Sequence, residues 1–259
     1  MKLIAIVIAM AGLPSLVLSQ ATITEGNLPQ IGDHVTIGIN WDAPTPGSAG
    51  ANQTWDHSGL VEEDSEYFDF VEPSTTDWWE DFTESTLSGI SWTDTHSYYK
   101  ISRGDLSAEG FAVPVSEFLV AKTMYDDTEQ ILPLPYTYGS TSQDDFSGTW
   151  WLGESPYPFT GTVEFEADGY GTLILPSGTY HNVVRYHLYR EQVNVADLNR
   201  NTVTKDQWAW VSSDFRFWLL LMESSYDGFA YSYLTWWDKN PYGATPTEET
   251  SWSQVKSLY

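Results

Sequence analysis

The sequence predicts an all-β protein with little helix, whose antiparallel, strongly curved sheet forms a half-barrel or a β-sandwich. From residue 96 onward, short runs rich in Val, Thr, Tyr, Phe and Trp alternate between apolar and polar positions, as strands do. Gly, Pro, Asp and Ser clusters separate these runs at short intervals. Strands that are adjacent in the chain and joined by short turns favour antiparallel pairing.

The N-terminal third has sparser signals. Residues 35–39 and 66–71 alternate as strands, and the Pro- and Gly-rich stretch between residues 44 and 50 predicts a loop. Residues 75–87 are the one candidate helix, because Trp78, Trp79, Phe82 and Leu87 could form one apolar side behind a cap at Thr76.

The middle of the chain predicts strands over residues 96–101, 111–113, 117–124 and 146–152. The prolines in residues 131–135 exclude that segment from a central strand, because a proline removes a ladder donor. Residues 160–167 and 170–175 predict two strands joined by a tight turn at Asp168-Gly169, and Gly171 permits a bulge or a close backbone approach.

The last third continues the meander. Residues 180–191 predict a long strand with Val183, Arg185 and His187 on one face and Val184 and Tyr186 on the other. Further strands are predicted at residues 207–211, 215–222 and 228–236, followed by a polar tail over 240–259. One domain over residues 20–259 is the simplest division, and a boundary near residues 110–115 is the main alternative.

Residues 1–19 predict a secretory signal peptide. Lys2 precedes an interrupted apolar stretch from Leu3 to Leu18, and short residues then offer a cleavage position before Gln20. The stretch is too short and too broken for a spanning helix, so no transmembrane segment is expected. The predicted location is the periplasm, the cell surface or the extracellular space.

Composition narrows the classes of partner. The formal charge of −25, from 11 basic and 36 acidic residues, disfavours nucleic acid and anionic membranes as partners. Salt adaptation and ion binding are two further interpretations of this acidity, and a solvated surface is the simplest. The absence of cysteine excludes disulfides, thiolate metal sites and cysteine nucleophiles.

An ordered series of segments resembles a known group of proteins. The segments are residues 28–33 (LPQIGD), 50–56 (GANQTWD), 132–139 (LPLPYTYG), 168–185 (DGYGTLILPSGTYHNVVR) and 208–210 (WAW). In this order they resemble largely uncharacterised exported β proteins of Bacteroidota, in which such a region often precedes a C-terminal secretion-sorting domain. The resemblance implies an envelope or secreted β domain and no catalytic residue, and a sorting domain of that kind is not expected after Tyr259.

Asp197, Asn199 and Asn201 place oxygen ligands at alternate positions, as a calcium loop requires. The loop does not fit the EF-hand pattern, since Thr202 occupies the glycine position and Trp208 the position of the bidentate glutamate. A looser Ca²⁺ site and a polar turn between strands are the two remaining interpretations, and no other cofactor is expected.

Tryptophan doublets supply the candidate ligand-binding residues. Neighbouring residues of a strand face opposite sides, so each of Trp150-Trp151 and Trp236-Trp237 places one indole in the core and one outside it unless both faces are covered. Exposed indoles stack on sugar rings or anchor partner proteins. Trp208 and Trp210 share one face, which favours core packing.

Three functions follow from these observations. The first is a non-catalytic exported domain that binds a glycan or a surface protein through exposed aromatic side chains. The second is a structural module of a surface assembly, which predicts a flat patch without a cleft. The third is a carbohydrate-active enzyme, which predicts two carboxylates facing each other across an aromatic-lined cleft.

Overall fold

The computed structural model describes residues 21–42, 45–102, 104–194 and 202–243. The predicted signal peptide (1–19), the candidate calcium loop (197–201) and most of the predicted tail lie outside the described residues. Single-turn 3₁₀ helices occupy Glu25–Asn27, Pro73–Thr75 and Trp79–Asp81. The strands are β1 Thr22–Ile23, β2 His34–Asn40, β3 Gly50–Asp56, β4 Asp64–Val71, β5 Leu87–Ser91, β6 His96–Ile101, β7 Asp105–Ser116, β8 Leu119–Pro133, β9 Tyr136–Thr137, β10 Thr141–Leu152, β11 Ser155–Leu175, β12 Gly178–Asn194, β13 Thr202–Ser212, β14 Leu220–Tyr226 and β15 Tyr231–Asp238.

The main sheet closes on itself. In the described part of the chain, twelve strands form an antiparallel barrel in the order β2, β4, β5, β6, β7, β8, β10, β11, β12, β13, β14, β15. The prediction of an all-β antiparallel meander is confirmed, but the half-barrel or sandwich is wrong. Closure comes from pairing of β15 with β2, where Trp236 lies opposite Ile39, and this long-range pairing leaves the barrel without a free edge there.

One seam of the barrel is held by side chains. β8 and β10 pair only between Ala121 and Asp127 of β8. Beyond that point the Gln130 backbone N–H donates to Asp144 over 2.9 Å, and the Ser142 hydroxyl donates to the Gln130 side chain over 2.6 Å. The last part of β8 therefore pairs on one side only, as an edge strand does. This explains why β8 extends to Pro133, although the prolines in residues 131–135 exclude that segment from a central strand.

The two ends of the barrel differ. At one end, here called the base, the buried side chains of Ile23, Leu28, Leu134, Tyr136 and Phe217 fill the interior. β1 pairs with β9 at this end. The opposite end, here called the mouth, carries the turns at residues 92–95, 117–118, 153–154 and 227–230. Apolar filling at the base leaves the polar part of the interior near the mouth.

The segment of residues 45–63, here called the flap, covers part of the outer wall. Its strand β3 pairs in parallel with β11 outside the ring. A Cβ added to Gly171 would lie 2.0 Å from the Gln53 carbonyl oxygen, so only glycine permits this approach. Trp55 of the flap packs with Trp210 and Trp237 in a second apolar core outside the barrel.

An arginine holds the flap in place and explains one failed prediction. Arg185 is 2% exposed and makes two hydrogen bonds to the Asp168 carboxylate, of 2.8 and 2.7 Å. Its guanidinium also donates to the carbonyls of Pro46 and Gly47 and lies 5.4 Å from the Trp55 ring centre. The predicted hairpin turn at Asp168-Gly169 is therefore wrong: β11 runs through it with a bulge, because Asp168 pairs with Arg185.

Residues 73–82 cover a second patch of the outer wall. The Phe82 ring stacks on Tyr98 at 4.1 Å between ring centres, and Trp78 meets His96 edge-on at 4.7 Å. The predicted helix over residues 75–87 is wrong, since this segment forms two 3₁₀ turns and Leu87 begins β5. Its aromatic residues serve as anchors on the barrel wall, and this packing overrides their helical spacing.

Several boundaries also differ from prediction. β14 begins at Leu220 rather than residue 215, and β15 begins at Tyr231. The alternative domain boundary at residues 110–115 falls inside β7, which passes through Gly110 at a φ of +151°. Among the described residues, no helix is both long enough and apolar enough to cross a membrane.

Candidate ligand-binding site in the barrel lumen

A cavity of about 370 Å³ lies inside the barrel towards the mouth. Inward-facing side chains of β6, β7, β8, β12 and β13 line it, and pairing in the sheet fixes their direction. The lining combines aromatic rings with hydrogen-bonding and charged groups, as small-molecule sites do. The residues that line it are Ser97, Tyr99, Ala108, Gly110, Phe111, Thr123, Tyr125, Glu129, Ile131, Arg190, Gln192 and Lys205.

A buried ion pair forms the floor of the cavity. The Arg190 side chain is 12% exposed and the Glu129 side chain 8% exposed, and they meet at 2.8 Å. The Tyr125 hydroxyl donates to the second Glu129 oxygen over 2.6 Å, so both carboxylate oxygens are satisfied. The Arg190 guanidinium lies 4.5 Å from the ring centre of Phe146, which separates the floor from the apolar base.

Polar side chains continue from the floor to the mouth along β12. Arg190, Gln192 and Asn194 alternate inward, because residues two apart in a strand share a face. Arg190 donates to the Gln192 amide oxygen over 2.7 Å, and the Gln192 amide nitrogen donates to Asn194 over 3.1 Å. These bonds fix the orientation of each group and leave a line of donors and acceptors along one wall.

A second ion pair lies nearer the solvent. Lys205 is the cross-strand neighbour of Arg190, and its ammonium group lies 3.1 Å from the Glu223 carboxylate. Lys205 is 38% and Glu223 16% exposed, so this pair is wetter than the pair on the floor. The two pairs together give the lumen two positive and two negative side chains at the cavity.

The electrostatics of the floor favour binding over proton transfer. Burial and the Glu129 charge raise the pKa of Tyr125, so its hydroxyl stays protonated and acts as a donor. Burial lowers the pKa of Arg190, but the Glu129 charge and Tyr125 outweigh it and the net pKa is raised. Tyr125 and Arg190 therefore both keep their protons and present hydrogen-bond donors at the floor.

Trp150, one predicted ligand-binding residue, faces the lumen at the mouth. It lies opposite Thr123 of the cavity lining, packs against the barrel core and contacts Tyr157 with 5.0 Å between ring centres. Trp151 alternates to the outer wall and lies opposite Lys122. The structure therefore separates the two indoles, and only Trp150 is placed beside the cavity.

Trp236 and Trp237 are both covered. Trp236 is 8% exposed inside the barrel and stacks on Phe217 at 5.3 Å, while Trp237 is 2% exposed in the outer core against Gly38. Neither ring is open to a ligand from solvent, because the base fills one side of the sheet and the flap covers the other. The prediction that this doublet binds a ligand does not fit the structure. Trp210 is fully buried in the same outer core, as its position beside Trp208 predicted.

The candidate calcium ligands Asp197, Asn199 and Asn201 lie outside the described residues, so that site stays a prediction. Within the described ranges, no three His, Asp or Glu side chains converge in a way that could hold a metal ion.

Large apolar side chains project from the mouth. Phe118 on the β7–β8 turn is 91% exposed and Phe229 on the β14–β15 turn is 83% exposed. Trp92 on the β5–β6 turn and Tyr231 at the start of β15 are also exposed. Apolar groups around an opening favour contact with a binding partner.

Comparisons with models of protein families, with curated proteins and with solved structures found no match to this chain. The resemblance to exported Bacteroidota proteins therefore stays a prediction, and the site rests on its own geometry.

Sequence reasoning missed the polar residues of the lumen. Tyr125, Glu129, Arg190, Gln192 and Lys205 come from three strands, and no spacing within one segment connects them. One signal was available: the inward face of β12 changes from apolar at residues 184–188 to polar at residues 190–194. A strand whose buried face becomes polar part-way along predicts a lumen that is filled at one end and wet at the other.

Proposed function

We propose that this protein is an exported, non-catalytic binding domain that takes the end of a glycan chain into the mouth of its barrel. The observation that carries this proposal is the cavity of about 370 Å³ whose walls carry fixed hydrogen-bonding groups beside the Trp150–Tyr157 aromatic pair. Sugars combine hydroxyl groups with an apolar ring face, and this lining offers a partner for each.

The alternatives receive less support. A structural module would dock through a flat patch and has no need of a cavity with fixed polar walls. A glycosidase needs two carboxyl groups that face each other across the bound sugar, whereas Glu129 and Glu223 face Arg190 and Lys205.

A protein partner is the second candidate, and a specific observation favours it. The exposed Phe118 and Phe229 rings lie on mouth turns, where they could anchor a partner. A partner that contacts only these rings leaves the lumen unoccupied, so the two candidates predict different sites of protection from solvent.

The test is a glycan array followed by titration, with tryptophan fluorescence as the readout and each titration run with and without Ca²⁺. We expect a saturable, sugar-specific response that Trp150→Ala weakens at least about tenfold, through loss of stacking area and of one wall of the opening. Trp151→Ala is the matched control, because it removes the neighbouring indole from the outer wall. Equal losses in both variants, or no response to any glycan, would contradict the proposal.

A further inference from the structure

The geometry points to an uncharged, hydroxyl-rich sugar as the ligand of the lumen, with acidic sugars rejected. This inference rests on the proposed glycan binding and names the chemistry that the cavity selects. It follows from how the charges, the polar groups and the aromatic rings of the lumen are arranged.

Every cation that lines the cavity in the described part of the chain already has a carboxylate partner. Arg190 pairs with Glu129 over 2.8 Å, and Lys205 pairs with Glu223 over 3.1 Å. An acidic sugar would have to compete with a carboxylate that is fixed in place and would then lie beside it. Like charges brought together in a partly desolvated site weaken binding strongly.

The charge of the whole chain acts in the same direction. A formal charge of −25 produces a negative potential that lowers the local concentration of anions near the mouth. An anionic ligand is therefore disfavoured before it reaches the cavity and again inside it.

The polar groups of the cavity match adjacent hydroxyls. The guanidinium of Arg190 carries five N–H donors in a planar fork, and its bonds to Glu129 and Gln192 hold that fork in one orientation. Ser97 and Thr123 add hydroxyls that both donate and accept. A vicinal diol, which also donates and accepts at each oxygen, is complementary to such a mixed lining.

The apolar part of the lining suits the face of a sugar ring. Tyr99, Phe111 and Ile131 border the same space as the polar groups. The volume of about 370 Å³ is near the lower limit of about 300–1,000 Å³ for ligand sites, which fits the end of a chain rather than a large branched glycan. A longer chain would leave the cavity past Trp150 and Tyr157.

The test compares neutral oligosaccharides with oligosaccharides of the same length that contain uronic acids or sulfate groups, by isothermal titration at low salt. We expect the neutral sugars to bind at least about tenfold more tightly than the acidic ones. Glu223→Gln removes the partner of Lys205, so this variant should raise the affinity for acidic oligosaccharides relative to neutral ones about tenfold. Glu191→Gln is the matched control, because Glu191 lies between Arg190 and Gln192 on β12 but faces outward.

The outcomes separate the inference from the proposed function. Acidic sugars that bind as tightly as neutral ones would overturn the inference and leave glycan binding standing. Failure of every sugar, neutral or acidic, would overturn both. If Glu223→Gln does not fold, Lys205→Gln gives the reciprocal test, because it removes the cation that an acidic sugar would need. This variant should weaken the remaining binding of acidic sugars. Unchanged or tighter binding of acidic sugars would count against the inference.

Discussion

The ion pair on the floor of the lumen gives the sharpest stability prediction. Arg190→Met leaves the Glu129 carboxylate buried without its cation, and Glu129→Gln leaves the Arg190 charge buried without its anion. Breaking one side of a buried pair costs about 3–5 kcal/mol of unfolding free energy. The double variant carries no charge and keeps an acceptor for the Tyr125 hydroxyl, so we expect it to cost only about 1–2 kcal/mol.

The assay is urea unfolding at pH 7 with tryptophan fluorescence for the wild type, both single variants and the double variant. We expect the stability losses of the two single variants to sum to about 6–10 kcal/mol, whereas the double variant should lose about 1–2 kcal/mol. That difference would show strong coupling between the two residues. The exposed pair of Lys100 and Glu84, at 3.3 Å, is the control, and its removal should cost less than about 1 kcal/mol. Additive single and double effects at the floor would refute the buried, coupled pair.

Two further predictions concern the base and the flap. Asp238 is fully buried, its second carboxylate oxygen has no hydrogen-bond partner among the described residues, and burial raises its pKa from 3.8 to about 6. The protonated Asp238 carboxyl therefore leaves the fold unpenalised below about pH 4, and stability is lost as pH rises to about 6 and the group ionises. The unfolding free energy of Asp238→Asn, measured in urea, should therefore rise relative to wild type by on the order of 3 kcal/mol between pH 4 and pH 8. A gain that does not change with pH would contradict this. Gly171→Ala would place a Cβ 2.0 Å from the Gln53 carbonyl oxygen, so it should lower the free energy of unfolding by at least about 1–3 kcal/mol and raise hydrogen exchange in β3. Gly59→Ala is the control: its added Cβ meets nothing within 4 Å among the described residues, so hydrogen exchange in β3 should not change.

Local alternation predicted the strands well where one face of the sheet is apolar. The two faces of β12 are confirmed: Val184 and Tyr186 lie in the barrel core, and Val183 lies in the outer core. Antiparallel pairing between neighbours is also confirmed, because short turns leave little alternative. These features depend on contacts within a few residues of the chain.

The failures have a common physical cause, which is contact between distant segments. Closure of the barrel depends on β15 meeting β2, and the strand through Asp168 depends on Arg185. Covering of Trp237 depends on an outer core to which the flap contributes Trp55. A local pattern indicates which face is apolar but not what will cover it, so the sequence left open whether the outer indole of the Trp236-Trp237 doublet is exposed or covered.

The lumen site was hidden for the same reason. Glu129 and Arg190 are 61 positions apart in the chain, and they meet only because β8 and β12 lie across the same interior. Alternation placed the two indoles of the Trp150-Trp151 doublet on opposite faces but did not indicate which one faces the interior, and the role of Trp150 in binding stays a prediction.

The most direct test of the account is an NMR titration of the indole N–H signals with a neutral oligosaccharide. The chain has 13 tryptophans, and conservative Trp→Phe variants would assign the signals of Trp150, Trp151 and Trp237. If the glycan enters the mouth, the Trp150 signal shifts with saturation while those of Trp151 on the outer wall and Trp237 in the outer core stay in place. A shift at Trp151 with none at Trp150 would show that the ligand binds outside the barrel and would contradict the account.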